Sequence, residues 1–114
     1  MLAKTMQPLS GSNYSKEIDI DLMTFVERYA TNLTRWDVLI YFGRNPEASD
    51  SVDMIARKVG RRPTVVVKEL DDLTYLGILC TRQNGHGMLY ELAPLKDMRR
   101  IITRLADTRT TPGD

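Results

Sequence analysis

A chain of 114 residues has room for one domain and one core, and a 42% hydrophobic content argues against wholesale disorder. Sixteen Lys and Arg stand against 15 Asp and Glu, so the net charge of +1 neither announces nor excludes a nucleic-acid partner. The single Cys80 excludes an intrachain disulfide and fits a reducing cytoplasm, while the longest apolar run, Val38 to Phe42, is far too short to span a bilayer.

Residues 1–17 are polar, with Pro8, Gly11 and several serines, and read either as a flexible leader or as an arm docked through Leu9 and Tyr14. No secretory leader is expected there, since Gln7, Ser10 and Gly11 interrupt any apolar core. The domain itself is expected over 18–107. Ile18 to Asn32 predicts a first helix, with Leu22, Phe25, Val26, Tyr29, Ala30 and Leu33 on one wide apolar stripe. That stripe either completes the chain's own core or packs against a partner subunit. Thr34 is placed to cap a second helix, about Arg35 to Gly43, that is apolar nearly all round and suits the centre of a small domain. Gly43 and Asn45-Pro46 are expected to end it.

After a loop over 47–50, Ser51 caps a third helix carrying Val52, Ile55, Ala56 and Val59 on a narrow stripe. Gly60 can take the left-handed conformation that turns the chain, and Pro63 fits the first turn of the next helix, about 63–76. Val66, Leu70 and Leu73 form its buried side, with Arg62, Thr64, Val67, Lys68 and Asp71 opposite. Two β-rich runs, 78–82 and 88–92, flank the glycines around His86 and predict a hairpin. Leu95 to Ala106 predicts a last helix with Leu95, Met98, Ile101, Ile102 and Leu105 inside and Lys96, Arg100 and Arg104 outside. Residues 108–114 read as a flexible tail. The fold class is therefore mainly α with a small β-hairpin.

Ile55-Ala56, Val59-Gly60, Thr64-Val65-Val66, Leu70, Leu73 and Gly77-Ile78-Leu79 resemble the helix-turn-helix of bacterial winged-helix transcriptional regulators. Leu33-Thr34 with Val38-Leu39 is similar to the MarR family, and the short hairpin closing on Tyr90-Glu91-Leu92 to the ArsR family. The resemblance covers roughly Leu33 to Leu105. It implies a winged helix-turn-helix with extra N- and C-terminal helices, and a homodimer placing two recognition helices in successive major grooves. The partner would be double-stranded DNA. The wing, 82–88, would lie on the backbone or minor groove, and the dimer would form through the N-terminal helix, the C-terminal helix or both. No cysteine lies on the recognition helix, so no metal site of the ArsR kind is expected.

The charge distribution bears on that implication. From Arg57 to Lys68 the chain carries Arg57, Lys58, Arg61, Arg62 and Lys68 and no acid. Arg57, Lys58 and Arg61 would meet phosphates, while Arg62 and Lys68 could reach guanine acceptors, Arg bidentately. Thr64 could bond a phosphate or a base, Val67 could touch a thymine methyl, and Arg82 and His86 would lie at the wing. Each also has a plainer reading as a solvated surface residue, His86 as a turn residue, and Cys80 as a small buried hydrophobe. Asp71 and Asp72 repel DNA if the helix lies flat in the groove. A winged helix serving as a protein-interaction module without DNA affinity is the alternative function. With one His, one Cys and no phosphate-loop glycines, neither an enzyme nor a cofactor is expected.

Overall fold

The computed structural model describes residues 10–110, with side chains from Ile20 to Asp107. In chain order the elements are α1 (Ser10–Tyr29), α2 (Leu33–Arg44), α3 (Val52–Val59), α4 (Pro63–Tyr75), β1 (Leu79–Asn84), β2 (Gly87–Leu92) and α5 (Lys96–Thr110). The architecture is mainly helical with one antiparallel hairpin, as the sequence predicts.

Helix α2 sits at the centre because it has almost no polar side. Val38, Leu39 and Phe42 are fully buried, and α3, α4 and α5 all pack on this helix. Ile55 and Ala56 of α3, Val66, Leu70 and Leu73 of α4, and Ile102 and Leu105 of α5 complete the core. Each of the larger side chains, Ala56 aside, contributes roughly 1.5–3 kcal/mol by leaving water. Phe25 and its neighbours on α1 close the core from the N-terminal side, and Phe25 stacks tilted on Tyr29 at 5.0 Å.

Several boundaries differ from expectation, each for a local reason. Helix α1 begins at Ser10 rather than Ile18, because an apolar stripe marks the buried face and not the helix length. Part of the expected leader is therefore helical, while residues 1–9 and 111–114 lie outside the described residues. Asn32, not Thr34, caps α2, its side chain accepting from the Arg35 N–H, and Thr34 is buried. Gly43 does not end α2. A Cβ there would sit 2.7 Å from the Ala106 Cβ and closer still to the Ile102 carbonyl oxygen, so Gly43 lets α2 and α5 touch. Leu95 precedes α5 and is 53% exposed, although Met98, Ile101, Ile102 and Leu105 pack as expected.

The hairpin is tighter than the sequence suggests. Asn84 pairs with Gly87 across a two-residue turn of Gly85 and His86, and the Asn84 carboxamide oxygen accepts from the His86 N–H at 2.8 Å. Gly87 takes a φ of 126°, a conformation that a side chain would disfavour. The segment expected as loop before α3 contributes one unforeseen link: Asp50 pairs with Tyr90 through both backbone bonds, fastening β2 to the body of the domain.

Candidate nucleic-acid interface

The elbow between α3 and α4 is set by backbone chemistry. Ser51 caps the start of α3 by accepting from the Met54 N–H. Gly60 ends it at φ 74° and ψ 36°, and the Arg61 N–H closes back on the Ala56 carbonyl at 3.0 Å. Arg62 is extended and Pro63 opens α4 as its first residue, where a missing N–H costs nothing. No side chain caps this N-terminus, because Arg62 stands where Ser, Thr, Asp or Asn would usually accept a hydrogen bond.

The exposed side of α4 carries Arg62, Thr64, Lys68 and Asp71, and Val65 is 44% exposed. Val67 is half-buried, so Val65 is the valine that faces outward most fully. Arg57, Gly60, Arg61, Arg62 and Val65 line a shallow cleft of about 530 Å³ in the elbow. Lys58 points elsewhere, over the Tyr41 ring at 5.8 Å. Arg61 is not free: it bridges to Asp37 of α2 at 2.8 Å and pins the turn.

Arg82 lies on the exposed face of the hairpin, where its guanidinium grips Glu91 on the opposite strand. Ser49 also donates to Glu91, and this bond, with Arg82 next, holds the Glu91 carboxyl below its ordinary range. His86 is exposed at the tip of the turn.

Of the three acids on α4, the adjacent Asp71 and Asp72 are both occupied. Tyr90 donates its hydroxyl to Asp71 at 2.6 Å, and Asp72 takes the Arg35 guanidinium at 3.1 Å. Burial first, then the Asp71 bond and charge, pushes the Tyr90 hydroxyl up to about 12. Asp72 thus faces a cation, whereas Asp71 faces only a hydroxyl.

One cluster on α4 escaped the sequence reading. Glu69 is buried and pairs with Arg35 at 2.8 Å, and Asn32 donates to its other oxygen at 3.1 Å. Arg35 also reaches the Tyr29 carbonyl at 3.4 Å. This ion pair ties α4 to the junction of α1 and α2. Its signal was present in the spacing: Glu69 interrupts the stripe of Val66, Leu70 and Leu73, and a carboxylate there needs a cation. Among the described residues no group of three His, Cys, Asp or Glu could hold a metal ion, and no helix is long and apolar enough to cross a membrane.

No protein-family model matches the chain, and no curated protein matches it. Solved structures do resemble it. A homodimeric winged helix-turn-helix DNA-binding domain from Mycobacterium bovis, Mb0332, described as a possible ArsR-family transcriptional regulator, superposes with a TM-score of 0.59. It shares 21% identity over 82% of this chain and 83% of its own. A MarR family protein from Bacillus stearothermophilus gives 0.57 at 14% identity, covering 86% of this chain and 67% of its own. A variant of S. aureus MepR bound to an oligodeoxyribonucleotide gives 0.59 at 14% identity, covering 90% of this chain and 80% of its own. The fold is the winged helix found in ArsR- and MarR-type regulators, which places α3 and α4 as the helix-turn-helix and the hairpin as the wing.

Proposed function

We propose that the protein is a DNA-binding transcriptional regulator that acts as a homodimer in the cytoplasm. It reads duplex DNA with α4 in the major groove and sets the wing against the backbone or minor groove. The observation that carries this reading is the open cationic end of α4. Arg62, Thr64, Val65 and Lys68 are exposed there, and the helix N-terminus has no capping side chain. Uncapped N–H groups and the helix dipole favour a phosphate at that point.

Residue roles follow from position. Arg62 and Lys68 approach base edges, Thr64 bonds a phosphate or a base, and Val65 with Val67 offers methyl contact to thymine. Arg57 flanks the backbone with Arg61, held by Asp37, beside it, Lys58 is turned away toward Tyr41, and Arg82 with His86 serves the wing. Entry by the N-terminal end keeps Asp71 away from phosphate, which removes the strongest electrostatic objection. The homodimer uses α1, α5 or both: Ile20 and Met23 on α1 are 62% and 63% exposed, and the similar M. bovis domain is described as homodimeric.

A mobility-shift titration of duplex genomic fragments at low salt tests the reading. Retardation is expected, and Arg62→Ala and Lys68→Ala should each weaken binding by roughly 1–3 kcal/mol. If no duplex is retarded, the reading fails and the fold serves protein contact instead.

A further inference from the structure

A second cluster of cations lies apart from the elbow, in a cleft between α2 and α3. The cleft has a volume of about 560 Å³ and is lined by Asp37, Ile40, Tyr41, Arg44, Asn45, Lys58 and Val59. That size matches a small organic molecule and far exceeds an inorganic ion. The Lys58 ammonium stands over the Tyr41 ring, and Arg44 is exposed in the last turn of α2. Among the described residues, neither Arg44 nor Lys58 has a carboxylate within ion-pair distance. The one acid of the lining, Asp37, is already matched by Arg61. The cleft therefore presents two uncompensated positive charges.

The remaining surfaces narrow the ligand. Ile40 and Val59 supply apolar lining, and the Tyr41 hydroxyl is held by Asp50, which orients the largely buried ring. The Tyr41 carbonyl is taken by the Asn45 N–H at 3.0 Å and the Asn45 side chain at 2.9 Å, so it does not compete for a donor in the cleft. An uncharged ring would leave the cations unmatched, and bare phosphate would leave the apolar walls unused. A phosphate monoester carries about −1.5 to −2 near neutral pH, close to the two charges present.

We propose that this cleft binds a small phosphate monoester with a flat apolar body, the phosphate between Lys58 and Arg44 and the body against Ile40, Tyr41 and Val59. The Arg44 fork can take two phosphate oxygens at once, and Lys58 supplies a mobile point charge. This site stands independently of the DNA reading, although a DNA phosphate is a second source of the same chemistry.

Amide NMR titrations of the full chain separate the sources, with phenyl phosphate, inorganic phosphate, phenol and a short duplex as probes. Phenyl phosphate should saturate, shift the amides of 40–45 and 57–59, and bind more tightly than either inorganic phosphate or phenol. Arg44→Gln and Lys58→Gln should each weaken phenyl phosphate by about tenfold, the loss expected for one charge-assisted contact. Both side chains are exposed, and the dispersion of the amide spectrum verifies that each variant folds. Shifts centred on 62–65 and unaffected by Arg44→Gln would overturn the proposal in favour of general anion binding at the elbow. Equal binding of phenol, equal binding of inorganic phosphate, or response of the cleft to duplex alone would each overturn it too.

Discussion

Arg61 shows how one side chain can serve the fold while standing in the patch proposed to meet DNA. Its bond to Asp37 leaves both side chains about a third exposed, at 34% and 33%. Solvent screening at that exposure limits the pair to roughly 0.5–1 kcal/mol. Arg61→Ala and Asp37→Ala are therefore expected to cost similar small amounts, with the double variant costing less than their sum, measurable by urea denaturation. Tyr90 behaves differently because it is buried. Its hydroxyl titrates at 10.0 in an unfolded chain and at about 12 in the fold, so the protonated form is the stabilising one. That contribution is fully present below pH 10.0 and is lost as pH rises toward about 12. Tyr90→Phe should lower stability at neutral pH by about 1 kcal/mol and flatten this alkaline decline in a series of thermal melts. Neither partner was legible beforehand, since a sequence shows that Asp37, Asp71 and Tyr90 are polar but not which element each meets.

At the scale of elements, two contacts decide how the helices are spaced. Gly43 allows α5 to lie against α2, and a methyl group there meets the Ile102 carbonyl and the Ala106 side chain. Gly43→Ala should destabilise by roughly 1–3 kcal/mol despite its better helix propensity, read from the denaturation midpoint. The Arg35–Glu69 pair fixes α4 against the junction of α1 and α2, with side chains only 11% and 8% exposed. Arg35→Met leaves a buried carboxylate and should cost about 3–5 kcal/mol, whereas Arg35→Met with Glu69→Leu should recover most of that loss. The helices and hairpin themselves were legible, because Val66, Leu70 and Leu73 repeat at helical spacing and Ser51, Gly60 and Pro63 mark ends by backbone chemistry. Gly43 misled for the same reason: glycine signals an end or a close approach, and only the position of α5 distinguishes them.

For the whole molecule, the arrangement joins an outward cationic helix end to a rigid frame. The wing is tied to the body by the Asp50–Tyr90 pairing and to α4 by the Tyr90–Asp71 bond, so wing and helix are directly linked. Ile20 and Met23 on α1 are exposed, and the proposed dimer would draw on them. A dimer is expected in sedimentation equilibrium, and Ile20→Glu with Met23→Glu should shift it toward monomer if α1 forms the interface. The most direct measurement is duplex-DNA affinity across a salt series for the natural chain and for Arg62→Ala with Lys68→Ala. The account predicts that log affinity falls linearly with log salt, with a slope of about 0.9 per phosphate neutralised, and that the double substitution weakens binding and flattens the slope. Affinity that is indifferent to salt, or unchanged by the double substitution, would contradict it.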